Sequence, residues 1–515
     1  MIVWVRIAVL VITVWGVFLL APAHAVLNIV SEFDHASLAS WSGNLTNIDL
    51  VGREKHPNTG GWRWMYFQVT GVRRARPTFT IDQVFAGGNS ALNNHKMVYS
   101  YDNENWHFFD NNQRFGTTYT FSKQTPFLHD EVYIAYAQPY SYGRSAQHTA
   151  TVLATPWAVP TDSANANGVI GQSPEAHDDL GRLIPRLDLF GYRVTNPATD
   201  SPRKIKRKVV VTSGLHSGET LGTYTFEGLI NWLVSDDARA ARLRDDVEFF
   251  AYPVLNPAGR FAGTSRATVE NPSQDPNGLW HPTRWADHED IRVSGEAMLA
   301  DVQSTPGSGV DAFIDFHSTI PASPGDDFGF IEFEQGDHQA DFWVELRSLQ
   351  PNVQQVDSSG TSWTTANFAD LLLDAEVDIT FETEFGNNRP ISYYHTLGAN
   401  FGIAFYNAWV RVQNPAEADF DEDGDIDEQD LGAWQNGYGT MSSAAHFHGD
   451  ADGDQDVDGH DFLHWQRQAG NNGNPTTAVP EPGTKILLLC CTLFFFVVQI
   501  RKPHPAGHIA GNFPQ

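Results

Sequence analysis

The strongest constraint on the fold is a change of period after about residue 160. Beyond it, apolar runs alternate with helix-like stretches. The runs are Val209-Val210-Val211-Thr212, Val247-Glu248-Phe249-Phe250-Ala251-Tyr252, Ala312-Phe313-Ile314-Asp315-Phe316 and Val377-Asp378-Ile379-Thr380-Phe381. Thr220 to Leu233 reads as a helix, and Leu397 to Val412 as the last one. Strands that are apolar throughout are buried on both faces, and their alternation with helices builds an α/β domain on a mixed, mostly parallel sheet. Functional side chains in such sheets gather at the carboxyl ends of strands. Before residue 160 the pattern is different. Met65-Tyr66-Phe67-Gln68-Val69, Thr78-Phe79-Thr80-Ile81 and Val132-Tyr133-Ile134-Ala135-Tyr136 are short, aromatic and broken by Gly, Asn and Asp. They predict an N-terminal β-sandwich over residues 26–155.

The predicted strand ends carry metal-binding side chains. The first run leads into Ser213-Gly214-Leu215-His216-Ser217-Gly218-Glu219, so His216 and Glu219 share a strand-to-helix turn. His317 follows the third run, with Asp315 two residues earlier on the same face. Imidazole and carboxylate are zinc donors, and a catalytic zinc uses three protein ligands plus water. Asp315 is placed to accept the other ring N–H of a ligand histidine. Glu382 ends the fourth run as the candidate base for a metal-activated water, with Glu384 its rival by parity.

In this order and spacing the chain resembles a zinc carboxypeptidase of the cytosolic carboxypeptidase subfamily, over roughly residues 30 to 410. That family's series is His-x-x-Glu, Asn-Pro-Asp-Gly, an Arg, Asp-x-Asn-Arg, a distant His and a late Glu. The counterparts are His216 to Glu219, Asn256-Pro257-Ala258-Gly259, Arg266, Asp275-Pro276-Asn277-Gly278, His317 and Glu382. Trp41-Ser42-Gly43-Asn44-Leu45 and Ala135 to Tyr142 resemble signatures of the subfamily's β-rich domain. The resemblance implies a catalytic domain at 156–413, with His216, Glu219 and His317 on one zinc and Glu382 as general base. It implies that Arg266 polarises the scissile carbonyl and that Asn277 touches the substrate's terminal carboxylate. Two positions depart from the pattern. Ala258 replaces an Asp, and Gly278 stands where the family has the Arg that pairs with a free C terminus. Arg260 and Arg284 are nearby substitutes. The expected activity is removal of C-terminal residues, acidic ones included. The alternative is an amidase-like or non-catalytic zinc module that binds peptides.

Residues 414–470 form an acidic duplication. Asp419, Asp421, Asp423, Asp425, Asp427 and Asp430 have the spacing of a calcium loop, with Gly424 at the sharp turn. Asp450, Asp452, Asp454, Asp456, Asp458 and Asp461 repeat it, with Gln455 in place of the glycine. Each loop precedes a short helical stretch. The pair resembles a type I dockerin, which implies a small α-helical module, two calcium ions and a cohesin-like partner.

Much of the net charge of −29 sits in this stretch, and so acidic a chain excludes nucleic acid as a partner. The only cysteines are Cys490 and Cys491, so the body of the chain has neither a disulfide framework nor a thiolate metal site. Residues 1–25 read as a signal peptide, with an uncleaved anchor as the alternative. Residues 471–515 contain Pro480-Glu481-Pro482, an apolar run and Arg501-Lys502. They resemble a PEP-CTERM sorting signal, which implies a sorting protease as a partner. A plain membrane anchor is the other reading. Together the ends predict an exported protein at the cell surface.

Overall fold

The computed structural model describes residues 26–53, 60–201, 204–320, 326–333, 339–357, 363–411, 418–421, 426–442, 444–453 and 455–469. The chain divides into two compact units, Met1–Pro415 and Ala416–Gln515. The expected signal peptide and sorting signal lie outside the described residues, as do Asp423, Asp425 and Asp454.

The first unit opens with two five-stranded sheets. One runs in the order Asn28–Val30, Tyr66–Thr70, Val132–Ala135, Val98–Ser100, Trp106–Phe108. The other runs Ser40–Gly43, Asn47–Val51, Thr78–Asp82, Thr118–Ser122, Asn111–Phe115. Alternate residues point inward, as the two-residue period of a strand requires. Ile48, Leu50, Phe79 and Ile81 from one sheet join Phe67, Val69 and Ile134 from the other in a single core. The same core takes in Leu221 and Tyr224, which belong to the second half of the unit.

The second half is built on an eight-stranded sheet ordered Ala158–Pro160, Tyr192–Val194, Val247–Tyr252, Arg207–Ser213, Val310–Thr319, Ala375–Glu384, Phe328–Phe333, Gln354–Asp357. Its four central strands are parallel, and antiparallel pairings join the flanking strands to them. Val209, Val211, Ile314 and Ile379 face one side, where Thr220–Leu233 and Ile391–Tyr406 pack. Val210, Phe250 and Phe313 face the other, against Glu289–Ser304 and Thr365–Leu373. The last helix begins at Ile391, ahead of the expected Leu397, because Tyr394 is buried and extends the packed face by a turn.

Helices 220–233 and 391–406 cross at van der Waals distance because glycines line the contact. A methyl group at Gly398 would lie 2.0 Å from the Thr225 carbonyl oxygen, and one at Gly228 would lie 2.4 Å from the His395 backbone. Gly222 faces the sheet in the same way, with its would-be methyl 2.4 Å from the His317 carbonyl oxygen. This close seating fixes the start of helix 220–233 against the end of strand 310–319.

The second unit has two short helices, Glu428–Gly437 and Gly459–Gln468, around Ala418, Phe420 and Ala451. Its halves repeat each other in detail. Asp430 accepts from the backbone N–H groups of Phe420, Asp421 and Asp427, and Asp461 accepts from those of Ala451, Asp452 and Asp458. The indoles cross over: Trp434 donates to the Asp458 carbonyl at 2.8 Å and Trp465 to the Asp427 carbonyl at 3.0 Å.

Candidate metal centre

Strand 207–213 ends at Ser213, and Gly214 turns the chain with φ +68° into the loop that carries His216. Glu219 is the N-cap of helix 220–233, where the positive end of the helix dipole favours a carboxylate. Strands 310–319 and 375–384 run on past their expected ends, so His317 and Glu382 lie within them. The two are direct partners in the parallel register. Asn256 stitches the surrounding loops together. Its amide donates to the carbonyls of Leu215 and Ala267, and its oxygen caps the short helix Pro257–Ala262.

His216, Glu219 and His317 are all buried, and each offers a ligand atom within 4.8 Å of the others. His216 Nδ1 is 3.1 Å from Glu219 Oε1, and His317 Nδ1 is 2.9 Å from Glu219 Oε2. The far ring nitrogens are held by carboxylates. His216 Nε2 is 3.0 Å from Asp275 Oδ1, and His317 Nε2 is 2.7 Å from Asp315 Oδ2. Both Nδ1 atoms face the shared space beside Glu219, so with Nε2–H given to the backing carboxylate each Nδ1 is the atom that can bind a metal. Asp315 is itself fixed by the hydroxyls of Thr212 at 2.8 Å and Thr365 at 2.6 Å.

The local field favours a cation between these groups. Burial alone would lower the His317 pKa, but Asp315 and Glu219 outweigh it and hold it well above the usual histidine range. Burial would raise Glu219, yet His216 and His317 hold it well below the carboxylate range. Asp275 is likewise held low against burial by His216 and Arg266. The donor set of two imidazoles and a carboxylate, each histidine backed by an acid, fits zinc.

Glu382 stands beside this set and outside it. Its Oε2 is buried without a hydrogen bond in the described structure. Burial, then the Glu219 charge, pushes its pKa up to about 7, near where a general base works best at neutral pH. Glu384, the rival, lies opposite Thr319, a step beyond the ligand level.

Arg266 bridges the site, with Nε 2.7 Å from Asp275 Oδ2 and Nη1 3.3 Å from Glu219 Oε1. The oxygen of Asn277 accepts from the Thr365 N–H at 3.1 Å, so that end of the amide holds a loop. Gly278 faces open space. Of the nearby arginines, Arg260 is fully buried and donates to the Tyr140 carbonyl and the Thr223 hydroxyl, which removes it as a substitute. Arg284 is exposed and donates to the Gly278 carbonyl at 3.1 Å. One residue at the centre has no sequence signal. Arg63 comes from the β-sandwich, and its Nη2 donates to Glu219 Oε1 at 3.1 Å and to the Ser318 carbonyl at 3.2 Å.

In the second unit, Asp419, Asp421 and Asp430 come together, as do Asp450, Asp452 and Asp461, with Asp456 and Asp458 also beside Asp461. Asp427 and Asp458 cap the two helices through their side chains.

Known proteins share both halves of the first unit. Residues 29–137 match the cytosolic carboxypeptidase N-terminal domain, and residues 186–362 match the zinc carboxypeptidase family. Glu382 lies beyond the second match. Cytosolic carboxypeptidase 2 of Xenopus tropicalis is 25% identical over 260 residues, covering 44% of this chain and 25% of that protein. Cytosolic carboxypeptidase 6 of Caenorhabditis elegans is 28% identical over 213 residues, 40% of each chain. The chain thus spans well under half the length of these relatives. Among solved structures, a metallo-carboxypeptidase from Burkholderia cenocepacia superimposes with a TM-score of 0.59 at 23% identity, covering 74% of this chain and 98% of that one. A metallo-carboxypeptidase from Pseudomonas aeruginosa gives a TM-score of 0.57 at 20% identity, covering 75% and 99%. Both likenesses speak for the fold.

These matches correct the expected export and cell-surface location. Residues 29–137 match the cytosolic carboxypeptidase N-terminal domain, and the matching relatives are named cytosolic carboxypeptidases. That expectation rested on the apolar termini, which lie outside the described residues; among the described residues no helix is long and apolar enough to cross a membrane. The chain thus carries a region similar to zinc carboxypeptidases behind a region similar to the N-terminal domain of cytosolic carboxypeptidases.

Proposed function

We propose that this chain is a zinc metallocarboxypeptidase that removes C-terminal residues, acidic ones among them, from peptides or proteins. The observation that carries the reading is the pairing of each ligand histidine with its own carboxylate, His216 with Asp275 and His317 with Asp315, around Glu219. Such partners orient the imidazoles and make them better ligands. Zinc held by His216, Glu219 and His317 would polarise the scissile carbonyl and lower the pKa of a bound water. Glu382, opposite His317, accepts the proton of the attacking water and returns it to the departing amine. Arg266 faces the oxygen that gains negative charge, a contact worth about 3–4 kcal/mol for a single oxyanion donor. Asn277 lies on the turn that would meet the end of the substrate.

The test is metal analysis of the purified chain with digestion of a peptide library. About one zinc per chain is expected, with release of single residues from free C termini. A chain that takes up no zinc, or cuts only internal bonds, would overturn the reading.

For residues 414–470 we propose a dockerin-like module that binds two calcium ions and, by that likeness, a cohesin-like protein. Each acidic loop folds back onto its own Asp430 or Asp461, which supports the reading. In the full chain, calcium at about 100 times its dissociation constant is expected to stabilise the module by ~2.7 kcal/mol for each of the two sites. Limited proteolysis should show it as protection of this segment. Equal cleavage in calcium and in chelator would remove the proposal.

A further inference from the structure

Arg63 belongs to a rigid part of the β-sandwich. Its neighbours Trp62 and Trp64 are both buried in that core. Trp62 exchanges backbone bonds with Val84 and Ala86, while Trp64 stacks on His35 at 4.5 Å and donates to its carbonyl at 3.1 Å. Between the two anchored indoles, the Arg63 side chain reaches the metal centre. There its Nη2 donates to Glu219 Oε1 at 3.1 Å, and Arg266 Nη1 donates to the same oxygen at 3.3 Å. Two guanidinium groups from different halves of the unit therefore converge on one carboxylate oxygen. Charge-assisted bonds of this kind are the strong ones, and guanidinium suits carboxylate better than any other side chain.

Among the described residues, the two arginines expected from sequence as substitutes at position 278 are bonded elsewhere or peripheral. Arg260 is buried and bonded elsewhere, and Arg284 sits exposed against the Gly278 carbonyl. Position 278 is open and has no side chain. We propose that Arg63, supplied by the β-sandwich, binds the free terminal carboxylate of the substrate. The Glu219 carboxylate now lying against both guanidiniums shows that an anionic oxygen fits between them. A substrate carboxylate would take up the Arg63 contact when Glu219 serves as a metal ligand. Arg266 keeps its role at the carbonyl. This inference rests on the peptidase reading and deepens it, since it names the group that makes the enzyme read a chain end.

The experiment compares kcat/KM for one peptide as the free acid and as the C-terminal amide. Wild-type protein is expected to prefer the acid. Arg63→Ala should lower kcat/KM on the acid at least tenfold, mainly through KM, with little change on the amide. Arg63→Lys should recover part of the preference, and Arg284→Ala should keep all of it. Arg63→Gln replaces the alanine variant if circular dichroism shows that the latter does not fold. An equal fall on both peptides would make Arg63 a purely structural group and overturn the proposal. Loss of the preference in Arg284→Ala instead would overturn it as well. A wild-type protein that binds zinc and cuts both peptides equally defeats this inference alone. One that binds no zinc and cuts neither defeats the peptidase reading and the inference with it.

Discussion

Glu382→Gln is expected to lower kcat by about 10²–10⁴-fold, the range for loss of a positioned general base. Zinc content and KM should stay close to wild type. Glutamine keeps the size of the side chain and removes its basicity. Glu382 is not one of the three converging ligand residues, so the metal does not depend on it. Its register opposite His317 sets it at the level of the ligands, and its buried Oε2 makes no hydrogen bond that the substitution would break. Steady-state kinetics on a free-acid peptide, with metal analysis of the same sample, reads both quantities. Glu384→Gln is the companion variant. A full rate in Glu382→Gln with a collapse in Glu384→Gln would move the base by two residues.

The second large effect is on stability. Gly398→Val is expected to destabilise the first unit by ~3 kcal/mol, the upper part of the range for overpacking, or to prevent soluble folding. The clash is with the Thr225 carbonyl oxygen, where a methyl group would lie at 2.0 Å, so no rotamer change can relieve it. The helices would have to separate. Helix 220–233 begins beside Glu219 and touches the His317 backbone through Gly222, so separation should also weaken zinc binding. Gly432→Ala, inside a helix of the other unit with nothing within 4 Å, is the control and should not destabilise, its helix propensity favouring the folded form by about 0.5–1 kcal/mol. Thermal unfolding followed by zinc release into a chelating dye separates the two variants.

The three converging positions proposed to hold zinc were readable because each lies on local pattern. His216 and Glu219 follow an apolar run into a turn, and His317 and Asp315 are fixed by the two-residue period of one strand. The helix at Thr220–Leu233 was bounded by its own sequence. Arg63 was not readable, since it lies 156 residues from Glu219 and meets it only through packing of the sandwich against the sheet. The same packing hid the unity of the first 415 residues, because Leu221 and Tyr224 look like ordinary helix positions until the sandwich core encloses them. Asp275 stood in view in the motif with Asn277. Its contact with His216 depends on a loop excursion that spacing does not encode. The start of helix 391–406 was missed because Tyr393, Tyr394 and His395 mask an apolar face whose burial is decided by tertiary contacts. The cellular location was misjudged for another reason: apolar ends describe the ends and say nothing of the body between them.

The crossed indoles of the C-terminal unit have a thermodynamic consequence. Trp434, on the helix of the first repeat, closes a carbonyl in the loop of the second, and Trp465 returns the bond. The start of each helix, at Asp427 or Asp458, thus offers its carbonyl to the other repeat's indole. Ordering is therefore cooperative between the repeats, and an ion titration should trace one steep transition where two independent loops would give two shallow ones.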